Sequence, residues 1–414
     1  MENKMEKDKP GKKNPYDPVS EIAAQGPFPG IKKNVFVLGV VSFLQDVSSE
    51  MIYPLLPLFL AQVLGVSKAY IGLIEGTAET TASLMKIASG WLSDRLRKRK
   101  ALVFWGYFLS TIAKPFLALT TAGWQVLGLR FMDRLGKGVR TSPRDALIAD
   151  STPVATRGKS FGFHRAMDTL GAVFGPLIAF VLLPLFNNNY RPIFLLALIP
   201  TSLALLMIIF FVAEKRAVAS GDVSLPKLSL RSFERKFKML LLVIILFTLG
   251  NSSDAFLILR AQNVGVATVL IPIVWFMFNT VYSSVAFLGG ALSDRIGRKR
   301  VVIMGFLVYS LVYLGFAFAF QPFHIWTLFA VYGIYYGLTD GVLRAFVVDL
   351  VPAGLRGTAL GLYHTSVGLT ALPASLIMGL LWESMGPTIA FSFGAALALI
   401  ATMLLLVPSK QASK

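Results

Sequence analysis

The sequence predicts an all-α membrane protein with twelve transmembrane helices in two pseudo-symmetric six-helix bundles. Of its 414 residues, 55% are hydrophobic and only 15% are charged, whereas an average soluble domain is roughly 25% charged. Apolar stretches of about 20 residues, the length that spans a bilayer as a helix, recur along the whole chain. Two short sequence patterns also occur twice, in the same order, which indicates a duplicated unit.

The apolar stretches define the candidate spans and, with them, the organisation of the chain. The spans cover 34–64, 69–92, 101–121, 124–149, 158–186, 192–212, 237–262, 267–292, 301–320, 324–350, 355–383 and 388–407. The long polar stretch after the sixth span divides the chain in two. We therefore expect a polar tail, a first bundle, a linker, a second bundle and a short tail, over 1–33, 34–213, 214–236, 237–408 and 409–414.

The formal net charge of +18 is concentrated in short basic runs between the apolar stretches. An even number of spans places both termini on one side, and the basic runs fall on that same side. Basic loops face the cytoplasm in membrane proteins, so we expect both termini in the cytoplasm and the protein in a bacterial-type inner membrane. The pattern is typical of such loops, and we do not expect nucleic-acid binding.

Several chemical classes are disfavoured by residues that the sequence lacks. There is no cysteine, which excludes disulfides, thiolate metal sites and cysteine nucleophiles. Three histidines in total argue against a histidine-rich metal site. No phosphate-binding loop precedes a helix, and no extramembrane segment is long enough for a soluble active site. We expect a monomer without enzyme activity, metal or cofactor, whose partners are a small-molecule substrate, protons and the lipid bilayer.

The repeats concern the ends of corresponding spans. The sequence GWLSDR at 90–95 recurs as GALSDR at 290–295. The second pattern consists of Asp150, Pro153, Arg157, Gly158 and Gly162, which recur as Asp349, Pro352, Arg356, Gly357 and Gly361. Transporters built from such repeats bind their substrate between the halves, near the bilayer midplane.

These motifs resemble those of the major facilitator superfamily, over residues 34–407. The family's loop motif, G-x-L-[AS]-D-[RK]-x-G-[RK]-[RK], is complete at 290–299, whereas the copy at 90–99 has Arg97 in place of the second glycine. The resemblance implies a latch that joins helix ends in one access state, formed by Asp94, Arg95, Asp294 and Arg295. Arg144 and Asp145, near the same end of the fourth span, are expected either to join this latch or to contact substrate.

The fourth span carries an unusual charged stripe. Arg130, Asp133, Arg134, Lys137, Arg140, Arg144 and Asp145 fall within an arc of about 140° on an ideal helix. Each such charge costs roughly 2.5–3.5 kcal/mol at mid-membrane, so the stripe must face a wet cavity or protein partners. The resemblance implies that spans one, four, seven and ten line the cavity. The predicted substrate-binding residues are Arg130, Arg134, Lys137, Asp254, Arg260, Asp340, Arg344 and Tyr336.

Acids inside the first-half spans are candidates for proton coupling. Asp46 and Glu50 share one face of the first span, and Glu75 and Glu79 share one face of the second. The predicted proton-coupling residues are Asp46, Glu50, Glu75, Glu79, His164 and Asp168. The alternative is that these charges only neutralise one another and hold the first half together.

The sequence thus favours a proton-coupled secondary transporter of a small polar, anionic organic solute, working by alternating access. Arginine suits this role because its guanidinium pairs with carboxylate or phosphate through two hydrogen bonds. Two alternatives remain at this point: a drug/proton antiporter that exports amphipathic compounds, and a transporter-like sensor that moves nothing. Gly171, Gly175 and Pro176 form a G-x-x-x-G-P sequence similar to an antiporter-associated family motif, which leaves export open.

Overall fold

The structure is a computed structural model that describes residues 26–96, 98–153, 156–214, 230, 233–352 and 355–407. The predicted N-terminal tail up to residue 25, the linker segment 215–229, Arg97 and the final residues 408–414 lie outside the described residues. The described residues form twelve helical rods: α1 Lys33–Val63, α2 Lys68–Leu96, α3 Arg99–Leu119, α4 Gly123–Asp150, α5 Arg157–Leu185, α6 Tyr190–Phe211, α7 Arg235–Asn263, α8 Thr268–Ile296, α9 Arg298–Phe318, α10 Pro322–Asp349, α11 Arg356–Met385 and α12 Pro387–Leu406.

Each predicted span coincides with one rod, with ends displaced by a few residues. Within the described ranges, nine rods are long and apolar enough to cross a membrane by length and composition alone. The other three, α2, α4 and α10, carry charged or tyrosine-rich faces that lower their hydropathy. No strand occurs in the part of the chain that the structure describes. The protein is therefore an all-α membrane protein, as predicted.

The packing between rods of the first half recurs between the rods numbered six higher in the second half. In the first half, α1 packs on α5 and α6, and α4 packs on α2 and α3. In the second half, α7 packs on α11 and α12, and α10 packs on α8 and α9. The contacts between the halves obey the same rule, since α2 packs on α11 and α5 packs on α8. Two six-helix bundles related by pseudo-two-fold symmetry result.

The α2–α11 interface is tightest at the ends of these rods remote from Lys33 and Leu406, which we call the far side. A Cβ atom on Gly72 would lie 2.2 Å from the Ser375 carbonyl oxygen, and one on Gly379 would lie 2.4 Å from that of Lys68. Small residues allow this approach of two helices. We call the opposite side, where Lys33 and Leu406 lie, the terminal side. Toward it, a Cβ atom on any of four glycines would meet no neighbour within 4 Å: Gly158, Gly162, Gly341 and Gly357. The bundles are thus in close contact on the far side and less so on the terminal side.

Two rods are interrupted at corresponding positions. The helix Lys33–Ile52 of α1 ends before Pro54, whose ring and missing N–H disfavour helix continuation, and a short helix resumes at Leu56. In α7 the helix Arg235–Gly250 ends at the sequence Asn-Ser-Ser-Asp, and a second helix begins at Ala255. Short polar side chains compete for backbone hydrogen bonds. Interrupted backbone at membrane depth is tolerated where it is buried in protein or lines a cavity.

Candidate functional site

A cavity of about 230 Å³ lies between the bundles at the level of the two interruptions. It is lined by α1, α2, α3 and α4 of the first bundle and by α7 and α8 of the second. Its charged lining residues are five acids, Asp46, Glu50, Glu79, Asp133 and Asp254, and five bases, Lys114, Arg130, Arg134, Lys137 and Arg140. The cavity therefore brings together much of the predicted charge, and nine of these ten groups belong to the first bundle.

Arg130 is committed to an ion pair at the edge of the cavity. Its Nε and Nη2 atoms donate to the two carboxylate oxygens of Glu75 on α2, at 3.0 and 2.6 Å. Both side chains are nearly inaccessible, at 7% and 2% exposure. A bidentate pair of this kind fixes geometry as well as charge, so Arg130 and Glu75 join α2 to α4.

Arg134 and Lys137 retain binding capacity. The nearest acids to the Arg134 guanidinium are Glu79 at 3.5 Å and Asp133 at 4.0 Å, and the Arg134 Nε–H has no hydrogen-bond partner among the described residues. The Lys137 ammonium lines the cavity and makes no hydrogen bond or ion pair with any residue that the structure describes. These two bases are the ones best placed to bind an anionic group of a ligand.

Two further bases line the cavity that were not among the predicted site residues. Lys114 on α3 donates to the hydroxyls of Ser48 and Ser49 on α1, at 3.0 Å each. Arg140 lies with its guanidinium carbon 4.4 Å from the centre of the Tyr107 ring, a cation–π contact. The signal for Lys114 was a lone lysine deep in an apolar span, and Arg140 belongs to the predicted stripe.

The acids of α1 differ in their partners. The indole Nε1 of Trp275 on α8 donates to the Glu50 carboxylate at 2.7 Å, a contact between the two bundles. Asp46, one turn earlier, lines the cavity without a hydrogen bond or ion pair to the rest of the described chain. Two carboxylates with different surroundings are therefore accessible from the same cavity.

Asp254 lies at the interruption of α7 and is the acid that the second bundle contributes. It accepts hydrogen bonds from the hydroxyls of Tyr332 at 2.7 Å and Tyr336 at 3.4 Å. Close by, the rings of Tyr53 and Trp275 are 5.1 Å apart and both line the cavity. Tyr336, predicted to bind substrate, thus contacts a lining carboxylate and is not itself a lining residue.

Arg260 is predicted to bind substrate but lies away from the cavity. Its guanidinium donates to the backbone carbonyls of Phe316, Ala317 and Ala319 at the end of α9, at 2.9, 3.3 and 2.7 Å. Cationic side chains commonly satisfy the last carbonyls of a helix in this way. The structure gives Arg260 a place in the packing of the second bundle.

Asp340 and Arg344 form a network nearer to the terminal side than the cavity. The Tyr282 hydroxyl donates to Asp340 at 2.8 Å, and Arg344 pairs with the same carboxylate at 2.7 Å. Arg165 on α5 of the first bundle donates to the Tyr282 hydroxyl at 2.6 Å and lies 3.5 Å from Asp340. The network therefore joins the two bundles between the cavity and the terminal side.

His164 and Asp168 form a separate cluster within the first bundle. His164 Nδ1 lies 3.6 Å from an oxygen of Asp168, while His164 Nε2 and the other Asp168 oxygen have no partner among the described atoms. Arg144 lies on the neighbouring α4, where it pairs with Asp145 and donates to Ser42, both at 3.0 Å. None of these residues lines the cavity.

The loop-motif acids pair with bases other than Arg95 and Arg295. Asp294 lies 3.9 Å from Arg298, which contacts Asp349 at the end of α10 at 2.5 Å. In the first bundle Asp94 lies 3.5 Å from Arg99, which forms a close ion pair with the corresponding residue, Asp150. Arg95 instead lies over the Trp91 ring. The sequence analysis named Asp94 and Asp294 but not their partners Arg99 and Arg298.

Comparison with known proteins identifies the family. A family model described as Major Facilitator Superfamily matches residues 38–370 and 240–414. The chain belongs to the major facilitator superfamily. It is 39% identical over 382 residues to an uncharacterized MFS-type transporter of Methanocaldococcus jannaschii, with 91% of this chain and 95% of that protein covered. As a member of this family, the chain is a membrane transporter.

More distant relatives are named for different substrates. A multi-drug resistance efflux pump PmrA homolog of Lactococcus lactis is 25% identical over 336 residues, covering 78% of this chain and 81% of the relative. A cis,cis-muconate transport protein of Acinetobacter baylyi is 25% identical over 307 residues, covering 70% and 73%. Among solved structures, a POT family transporter in complex with 5-aminolevulinic acid has a TM-score of 0.79 at 15% identity, covering 94% and 98%. That likeness concerns the fold alone.

Proposed function

We propose that this facilitator protein is a proton-coupled secondary transporter of a small polar solute that carries an anionic group. The observation that carries the proposal is the pair Arg134 and Lys137, two incompletely satisfied bases that face a cavity between the bundles. A carboxylate or phosphate would supply the hydrogen-bond acceptors that the protein itself does not.

Coupling to protons is proposed at Glu50, with Asp46 as the second acid of the same face. Hydrogen bonds to an ionised carboxylate are roughly twice as strong as those to a neutral group. Protonation of Glu50 would therefore weaken the hydrogen bond from Trp275, which joins the two bundles. Proton binding would thus change the contact that the bundles must rearrange during transport.

We propose that, during alternating access, one side of the bundle interface opens while the other side closes. The glycine contacts of α2 with α11 close the far side, and the Arg165–Asp340 network is the corresponding contact toward the terminal side. The loop-motif pairs at Arg99 and Arg298 would hold helix ends within each bundle. The basic terminal side is assigned to the cytoplasm of a cell with a bacterial-type inner membrane.

Export of amphipathic drugs is the second candidate, because one relative is an efflux-pump homolog. Two properties of the cavity favour the first proposal. Its volume of about 230 Å³ is below the roughly 300–1,000 Å³ of sites for drug-sized ligands. Its lining also includes ten charged residues, whereas pockets for such ligands are mostly apolar. A small, strongly polar solute suits this lining better.

The test is ligand-induced thermal stabilisation of the purified protein with organic anions and lipophilic cations, for the wild type, Arg134→Gln and Arg144→Gln. A ligand at a hundred times its Kd adds about 2.7 kcal/mol of stability. We expect an anion to stabilise the wild type and Arg144→Gln, whose arginine lies outside the cavity, and to lose most of its effect on Arg134→Gln. Stabilisation by lipophilic cations alone, unchanged in Arg134→Gln, would favour drug export instead.

A further inference from the structure

The cavity walls formed by the two bundles carry different side chains. All five lining bases lie on α3 and α4 of the first bundle. The second bundle contributes Asp254 and Trp275, an acid and an aromatic side chain. A ligand in the cavity therefore meets five bases and four acids on the first-bundle wall, whereas the described lining residues of the second bundle are a carboxylate and an aromatic side chain without a base.

Asp254 lacks a positive partner in the part of the chain that the structure describes. Its two hydrogen bonds come from the neutral hydroxyls of Tyr332 and Tyr336, and it takes part in no ion pair there. Arg260, on the same segment of α7, is held by the carbonyl groups of α9. A half-buried carboxylate without a counter-charge is costly unless a bound group compensates it. Because Asp254 lines the cavity, a ligand can provide that charge.

The side chains around Asp254 suit an ammonium group. The Tyr53 and Trp275 rings lie 5.1 Å apart, and Phe278 stands 4.6 Å from Trp275. Aromatic faces attract organic cations, with Trp the strongest, and they do so best where water is excluded. A carboxylate next to such rings provides both the charge and the surface that an alkylammonium requires.

The charges of the lining argue for a ligand that carries both signs. Because Arg130 is already paired with Glu75, five acids and four other bases remain in the lining. A ligand with only an anionic group would satisfy Arg134 and Lys137 but leave Asp254 without a counter-charge. A ligand with only an ammonium would do the reverse. A zwitterion satisfies both walls and leaves the total charge unchanged.

Building on the proposed function, we propose that the substrate is a small zwitterion with one carboxylate or phosphate and one ammonium group. The anionic group binds Arg134 and Lys137. The ammonium binds Asp254, with Tyr53 and Trp275 forming the aromatic wall beside it. The cavity volume of about 230 Å³ limits the class to compact amino acids and comparably small amino-phosphates.

The experiment compares ligands that share a carbon chain and differ in one charged group. ω-Amino acids of three to six carbons, α-amino acids and aminoethyl phosphate are tested beside the matching acids and amines by thermal stabilisation of the purified full-length protein. We expect the best zwitterion to bind the wild type at least about tenfold more tightly than its acid or amine, equivalent to about 1.4 kcal/mol.

Two variants assign the ammonium subsite. Asp254→Asn keeps an acceptor for the Tyr332 hydroxyl but removes the charge, so we expect the zwitterion to bind no better than the matching acid while acid binding persists. Tyr53→Leu leaves Asp254 unchanged and is expected to lower affinity for the zwitterion severalfold without changing that for the acid. It serves as the alternative if Asp254→Asn does not fold.

The outcomes separate this inference from the function on which it rests. If acids bind as tightly as their amino derivatives, in the wild type and in Asp254→Asn alike, the zwitterion proposal is overturned while an anion transporter remains. If amines alone bind and Arg134→Gln has no effect, both proposals fail. If no zwitterion of the panel binds but simple anions do, again only the zwitterion proposal is overturned.

Discussion

Trp275 of the second bundle donates a 2.7 Å hydrogen bond to Glu50 of the first. Both side chains line the cavity, so a carboxylate that a proton can reach is in direct contact with the other half of the transporter. The proposed protonation of Glu50 would link proton binding to the relative position of the bundles through this contact.

Glu50→Gln tests this link. The Gln side chain still accepts a hydrogen bond from Trp275 but cannot exchange a proton, so we expect substrate accumulation driven by a pH gradient to be lost. Exchange of labelled for unlabelled substrate, which requires no net proton movement, should persist. Both rates are measured in reconstituted vesicles. Asp46→Asn is the matched variant, and if it shows the loss while Glu50→Gln does not, the proton is carried by Asp46.

Glu75→Gln is expected to destabilise the protein. It leaves the buried Arg130 guanidinium, 7% exposed, with the more distant Asp133, at 3.8 Å, in place of its bidentate partner, and breaking a buried pair from one side costs roughly 3–5 kcal/mol. Unfolding in detergent, followed by heat or denaturant, measures the effect. The double variant Glu75→Leu with Arg130→Met removes both charges and should recover much of the stability. Wild-type stability of the single variant would contradict a structural role for the pair.

Arg165→Gln is expected to widen the terminal side of the bundle interface. Arg165 and Arg344 both contact Asp340, but only Arg165 reaches it from the other bundle. Because the protein has no native cysteine, spin labels attached to single introduced cysteines on α5 and α10 report their separation without background. Longer distances are expected for Arg165→Gln and unchanged distances for Arg344→Gln. Identical distributions in both variants would show that the network does not restrain the interface.

Arg298→Gln should impair transport more than Arg295→Gln does. Arg298 lies between Asp294 and Asp349 and joins the start of α9 to the end of α10, whereas Arg295 has no ion pair within the described structure. We expect the initial rate to fall about tenfold in Arg298→Gln, the effect of about 1.4 kcal/mol, and to stay near the wild-type value in Arg295→Gln. The opposite ranking would restore the role that the family motif implies for Arg295.

The sequence predicted well those features that depend on periodic patterns. The predicted spans coincide with the twelve rods of the described residues, nine of which are apolar enough to cross a membrane. Helical periodicity placed Arg130, Arg134 and Lys137 on one face of α4, which does line the cavity. The position of Arg260 could not be predicted from the periodic pattern alone. Membership of the seventh span suggested a cavity position, but the interruption after Gly250 starts a new helix whose arginine is turned toward the α9 carbonyls.

The interruptions themselves were not predicted. Hydropathy averages over a span and does not register a local break of the backbone. The break in α7 depends on tertiary hydrogen bonds, from Tyr309 to the Gly250 carbonyl at 2.9 Å and from the Ser253 amide to Ser375 at 3.2 Å. Such partners come from distant parts of the chain, and a single sequence does not show which of them meet. Asp254 owes its position to this break.

The Glu75–Arg130 pair also bears on how the protein enters the bilayer during its synthesis. Neither α2 nor α4 is apolar enough to be identified as a span by its own composition, and isolated charges at mid-membrane oppose insertion. Both partners belong to the first bundle, which leaves the ribosome first. The charges of the two helices can therefore neutralise each other while the second bundle is still being translated. Insertion of the first bundle does not require the second bundle to be present.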